Sequence, residues 1–168
     1  ERIQNMDKYT IFNRSIPVRG FYDVVICGGG PAGIGAAIMS ARKGAKTLLV
    51  ERLGFLGGMA TAGLVNPMSE FAYNNNRVIG GVAWEFAKRL EESGGAIIEY
   101  PRCNISFNPE IYKLVAQRMV LESGAELLTN TLLADCTVEN GRIKEIFVVG
   151  KNGMESIRGN YFIDATGD

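Results

Sequence analysis

The sequence predicts an α/β domain: a parallel sheet with flanking helices and, late in the chain, a three-stranded antiparallel β-meander. Three observations predict it. The apolar run Val24-Val25-Ile26-Cys27 enters the turn Gly28-Gly29-Gly30-Pro31-Ala32-Gly33, and a small-residue helix follows. A second apolar run from Lys46 ends at Glu51, 23 positions after Gly28. Two Asn-Gly pairs, Asn140-Gly141 and Asn152-Gly153, punctuate β-rich runs near the C-terminus.

The first observation is a strand–turn–helix with G-x-G-x-x-G spacing. Tyr22 to Cys27 reads as a short, buried parallel strand. Gly28 suits the tight turn, Gly30 a close backbone approach to a pyrophosphate, and Gly33 close contact of helix and strand. Gly29, Pro31 and Ala32 complete the turn, with Pro31 in the first helical position, where its missing N–H costs nothing. The helix N-terminus carries about half a positive charge toward the diphosphate. Ala37 and Ala41 extend the small face, and Arg42-Lys43-Gly44 ends the helix. Glu51, at the end of the second strand, is placed to accept the ribose hydroxyls of an adenosine, which disfavours a 2′-phosphate. Arg52 opposes that, since a guanidinium pairs with phosphate or lies over adenine.

The chain has 168 residues, enough for one domain with a real core. Its 18 basic and 18 acidic residues balance, so no field gathers nucleic acid or an anionic membrane. Histidine is absent, which removes the commonest general base, the usual zinc ligand and a histidyl link to a cofactor. No metal site is expected. Three scattered cysteines, Cys27, Cys103 and Cys136, form no C-x-x-C; an odd, unpaired set suits a reducing, cytoplasmic compartment. The uncharged stretch from Val24 to Ala41 is broken by glycines and a proline at a turn, so no membrane span is expected. The N-terminus resembles no signal peptide; it also lacks Met, which leaves open a removed upstream segment.

Residues 1–21 read as an arm on the domain, with Tyr9-Thr10-Ile11-Phe12 and Ile16-Pro17-Val18 as short extended pieces. After Glu51 comes a glycine-rich loop, Leu53 to Leu64. Asn66 to Gly80 reads as irregular. Gly81 to Ser93 reads as a helix with Val82, Ala83, Phe86, Ala87 and Leu90 on its core face; Trp84 lies off that stripe and is expected to sit against a part of the protein outside this sequence. Asn108-Pro109-Glu110 starts a helix whose Ile111, Leu114, Val115 and Met119 face the core. Ala125–Asn130 is a strand. The Asn-Gly pairs join Ala134–Glu139, Arg142–Val149 and Met154–Arg158 into the meander, and Tyr161–Asp164 is a final strand.

Gly30-Pro31-Ala32-Gly33, Glu51-Arg52, Gly57-Gly58-Met59-Ala60-Thr61 and Asp164-Ala165-Thr166-Gly167-Asp168, in that order, resemble the FAD-dependent oxidoreductases of the glutathione-reductase-like flavoprotein superfamily, nearest the fumarate reductase flavoprotein subgroup. The resemblance implies a Rossmann-like FAD-binding domain over residues 22–168, with the substrate or cap domain outside this sequence. It implies that Gly57, Gly58, Met59, Ala60 and Thr61 run along the pyrophosphate and ribityl chain, that backbone at Leu133 meets the adenine, and that Thr166, Gly167 and Asp168 return the chain to the cofactor. Glycine pairs at such a loop let backbone N–H groups face an anion. No cysteine pair follows the loop, which argues against flavin-to-disulfide chemistry, and without histidine FAD is expected to be held noncovalently.

Three functions follow. The first is the FAD-binding portion of a flavin-dependent oxidoreductase acting on a small-molecule substrate, with NAD(P)H or another electron donor and a second copy of the chain left open as partners. The second is an NAD-binding module or thiazole-synthase-like enzyme of the same superfamily. The third is a nucleotide-binding fragment without activity of its own. No catalytic residue is assigned.

Overall fold

The computed structural model describes residues 13–167. The Tyr9–Phe12 segment and Asp168 lie outside these. Strand β1 (Val18–Cys27) runs into helix α1 (Pro31–Arg42) and then strand β2 (Thr47–Val50). β1 begins four residues earlier than the sequence indicates. Val18 is in register with Ser156, and the Pro17 carbonyl accepts from Ser156 N at 2.9 Å, so this part of the arm is already sheet.

Six strands form one sheet in the order β7-β2-β1-β10-β9-β8, where β7 is Glu126–Leu128, β8 Leu132–Glu139, β9 Arg142–Gly150 and β10 Gly153–Asp164. The first four are mutually parallel and the last three antiparallel. The third strand of the expected meander and the final strand are one continuous element. β10 pairs with β9 through Arg158 and with β1 through Asp164.

Alternation along β1 and β2 divides the core. Ile26 and Leu49 face the helices, joining Ile34 and Ile38 of α1, Phe86 and Leu90 of α2 (Gly81–Glu92), and Tyr112, Val115 and Met119 of α3 (Pro109–Glu122). Val25, Cys27, Leu48 and Val50 face the other way and are covered by Ile146, Val148 and Ile157 of the meander. Both faces are therefore dry, which is why these strands read as unbroken apolar runs. Arg42 of α1 binds Glu85 of α2 at 2.7 Å; Arg89 also reaches Glu85 at 3.0 Å and pairs with Glu122 of α3, tying the three helices at the surface.

Two short hairpins complete the chain: β3 (Ala72–Tyr73) with β4 (Asn76–Arg77), and β5 (Ala96–Glu99) with β6 (Asn104–Phe107). The stretch read as irregular is thus partly ordered. Asn74 and Asn75, at φ 46° and 61°, form its turn, as mirror-image hairpin turns require. Trp84 has its partners within this domain. It packs at 6.2 Å from the Phe71 ring and under Arg77 at 4.6 Å, beside a small cluster of Ala72, Ile98 and Ile105. Leu114, expected in the core, is 55% exposed; Tyr112, Ala116 and Val120 take the inner face of α3 instead.

α3 begins as the sequence indicates. The Asn108 side chain accepts from Glu110 N at 2.8 Å and from Ile111 N at 3.4 Å. Asn108→Ala should therefore cost about 1 kcal/mol, measured by urea unfolding. No helix of the described residues is long and apolar enough to cross a membrane.

Candidate functional site

The carboxyl ends of β1, β2 and β10 meet at a cleft over the N-terminus of α1. Gly28 N donates to Val50 O at 2.8 Å, and Ala165 N donates to Cys27 O at 2.8 Å. The turn after β10 thus crosses directly over Gly28. At φ +104°, a Cβ on Gly28 would lie 2.2 Å from the Ala165 carbonyl oxygen. On Gly33 it would lie 1.8 Å from the Gly28 carbonyl, so this glycine lets α1 close on the turn. At Gly30, by contrast, a Cβ would meet nothing within 4 Å. Its open side faces the cleft.

The glycine loop docks on this turn. Gly57 N donates to Gly29 O at 2.8 Å, and the Gly58 Cβ position lies 3.0 Å from Gly30 Cα. Two cavities share Gly28, Glu51, Arg52 and Thr166. One, of about 640 Å³, runs past Gly30, Pro31, Ala32, Gly58 and Met59 to Ala62, Gly63 and Gly167. The other, of about 250 Å³, is bounded by Cys27, Val50, Thr131, Leu132 and Leu133. Together they make an elongated site with an aliphatic slot at one end.

Glu51 sits where the two meet. It is 6% exposed, and its carboxylate accepts from Gly29 N at 2.6 Å and from Leu53 N at 2.7 Å. These charge-assisted bonds fix the Gly28–Gly33 turn to the start of the next loop. Each oxygen keeps a lone pair for a further donor. The Asp164 carboxylate accepts from Thr166 N at 3.0 Å and from its hydroxyl at 2.7 Å. The first of these bonds chiefly, then the second, holds the Asp164 acid below its ordinary range.

Of the residues expected at the site, Gly28, Gly30, Pro31, Ala32, Glu51, Arg52, Gly58, Met59, Leu133, Thr166 and Gly167 line the cleft. Gly29, Gly33 and Gly57 shape it from behind. Ala60 and Thr61 turn inward. Ala60 is in the helix-side core, and the Thr61 hydroxyl donates to Leu56 O at 2.9 Å, so these two support the loop with their side chains. Leu53, Ala62, Gly63 and Ala165, each in a segment the sequence singles out, line it as well, and so do Cys27, Val50, Thr131 and Leu132, which no motif marks and which the approach of strand ends brings there.

Cys27 is buried, and its thiol is pushed from an ordinary 9.0 to about 11, first by burial and then by the Asp164 charge. Cys103 is buried too, and Cys136 is exposed. A thiol reagent at pH 8 should modify Cys136 fast and the other two only after unfolding, which mass spectrometry of the modified chain checks. The unfolded thiol ionises first, so stability contributed by Cys27 is intact below pH 9 and falls between pH 9 and 11, by about 1.4 kcal/mol per pH unit.

The fold and this cleft define a dinucleotide-binding α/β domain. The chain belongs to a family described as FAD dependent oxidoreductase, whose model matches residues 23–168. It is 32% identical over 159 residues to the thiamine thiazole synthase of Aeropyrum pernix, covering 86% of this chain and 54% of that protein. It is 31% identical over 156 residues to the thiamine thiazole synthase of Methanococcus maripaludis, covering 86% and 56%. The fold resembles that of Thermovibrio ammonificans THI4, with TM-score 0.63, 22% identity, and 88% of this chain and 58% of that one covered. It also resembles the myxobacterial chondrochloren halogenase CndH, with TM-score 0.67, 15% identity, and 88% and 38% covered. The chain spans about half the length of the curated relatives it matches.

The cofactor of this family is FAD. The cleft fits such a group on its own geometry: a helix N-terminus without a side-chain cap, a glycine whose missing Cβ leaves open space beside it, a carboxylate where its two cavities meet, and a guanidinium in the wall.

Proposed function

We propose that this chain holds FAD noncovalently as the cofactor-binding portion of an oxidoreductase acting on a small-molecule substrate. The observation that carries this reading is the convergence of Gly28–Gly33, Glu51, Gly58 and the Ala165–Gly167 turn on one elongated cleft. In this reading α1 faces the diphosphate with its positive end at Gly30. Glu51 takes the adenosine ribose hydroxyls. Thr131, Leu132 and Leu133 enclose the adenine, with Arg52 at its edge. Gly57 and Gly58 carry backbone along the diphosphate toward Met59, Ala62 and Gly63.

FAD, when bound, supplies hydride or electron-pair transfer. The chain supplies binding, orientation and exclusion of water. Beyond Met59 the wall is Ala62 and Gly63, without a titratable side chain, so no residue of the cleft is assigned as acid or base there. NAD(P)H or another donor is the electron source this reading requires, and three free thiols suit a reducing, cytoplasmic setting.

The similarity to thiamine thiazole synthases favours one alternative, a thiazole-synthase-like enzyme with NAD in the same cleft. Titration calorimetry with both dinucleotides separates the two. FAD is expected to bind at least tenfold tighter, about 1.4 kcal/mol, and to survive gel filtration with its absorbance. Tighter binding of NAD would favour the alternative, and binding of neither would overturn both.

A further inference from the structure

The wall of the aliphatic slot hangs from the same short segment that carries Glu51. Glu51 N donates to Leu128 O at 2.8 Å, and Glu51 O accepts from Thr131 N at 3.0 Å. One residue earlier, Asn130 N donates to Leu53 O at 3.0 Å. Amides of consecutive residues converge on one segment only where the backbone leaves the extended form. Asn130 supplies that departure, at φ 53°. Asparagine enters this left-handed region several-fold more readily than most residues with a side chain, and a β-branched residue there is an outlier. The Thr131 hydroxyl closes the turn by donating to Thr129 O at 3.0 Å. Gly150 of β9 packs against it: a Cβ there would lie 3.0 Å from Thr131 Oγ1 and 3.5 Å from Asn130 O.

β8 starts directly after this turn. Thr131, Leu132 and Leu133 line the slot, whereas Asn130 lines neither cavity of the cleft. One left-handed residue outside the cleft thus sets where the wall stands relative to Glu51. We infer that Asn130 is a positioning residue for the adenosine half of the bound dinucleotide, acting through Thr131 and by its backbone rather than its side-chain amide. The nature of the ligand rests on the FAD reading; the dependence of the slot wall on this one angle rests on the turn itself. A residue that relaxes out of φ 53° in the empty protein leaves the wall in place in only a fraction of molecules, and apparent affinity falls by that fraction.

The test is calorimetric titration of the whole chain and its Asn130 variants with FAD, ADP and inorganic pyrophosphate, which lacks the adenosine. Asn130→Val should weaken ADP and FAD about tenfold or more and leave pyrophosphate within about twofold. Should the valine variant fail to fold, Asn130→Ala is expected to show the same split at about fivefold. Asn130→Gly, free to adopt positive φ, should restore ADP to within about twofold of the native chain. Without ligand, exchange of the Thr131 amide should quicken in the valine and alanine variants and not in the glycine variant. Equal loss of ADP and pyrophosphate would overturn the proposal. So would unchanged ADP affinity beside faster Thr131 exchange, or a glycine variant that binds ADP as weakly as the alanine variant. If the native chain binds neither FAD nor ADP, the cofactor reading falls and the proposal with it; if it binds both and the variants match it, the proposal alone falls.

Discussion

Gly28→Ala is expected to abolish retention of FAD and to destabilise the ligand-free chain by about 3 kcal/mol or more. Two costs add at this position. An L side chain is strained at φ +104°. The new Cβ would also lie 2.2 Å from Ala165 O, 2.5 Å from Ala165 C and 2.8 Å from Thr166 N. All three are backbone atoms, and the segment is tied down by Ala165 N donating to Cys27 O. No flexible side chain is there to yield, so the turn over the cleft must move, and Thr166 and Gly167 move with it. Gly35→Ala is the matched control. It lies in α1, which follows the turn; its Cβ would meet nothing within 4 Å, and a helical alanine should stabilise by up to about 1 kcal/mol. Urea unfolding and FAD titration of both variants decide the matter; if the two behave alike, the close crossing at Gly28 does not hold in solution.

What the sequence made legible were features whose cause is local. The Gly28–Gly33 turn, the Asn108 cap and the Asn140-Gly141 turn are each dictated by φ angles or by hydrogen bonds a few residues apart. Asn140 and Gly141 adopt φ 51° and 73°, as a two-residue hairpin requires. The second Asn-Gly pair is used differently. Lys151-Asn152 is the loop between the paired Gly150 and Gly153, and Gly153 takes the left-handed position after it. Gly159-Asn160 read as a break between strands, yet β10 passes straight through. Here the glycine serves packing, since its Cβ position is 3.0 Å from Val25 Cγ2 of β1. A local pattern cannot tell a glycine needed for a turn from one needed by a neighbour. The β5–β6 hairpin went unread because its loop carries no Asn-Gly signal.

Glu51 shows the same limit within the site, and it sets the second large expectation. From spacing alone the residue is a ribose ligand, so its removal should weaken cofactor binding and leave the empty protein intact. The geometry requires more. Both carboxylate oxygens already accept from backbone, Oε2 from Gly29 N and Oε1 from Leu53 N, at a residue nearly shut off from water. Glu51→Gln keeps the shape but offers one oxygen and one NH₂. Whichever way the amide is turned, one backbone N–H faces a donor and is left buried without a partner. The surviving bond also loses its charge. The expected cost is about 2–3 kcal/mol in the absence of any cofactor, read as a lowered urea midpoint. On the proposed FAD reading, affinity for the cofactor should fall as well, because the same carboxylate holds Gly29 N and with it the turn that carries Gly30 into the cleft. Backbone amide exchange at Gly29 and Leu53 should accelerate together in the variant. An unchanged ligand-free midpoint with weakened FAD binding would reduce Glu51 to a ribose ligand and sever the link between the two ends of the cleft.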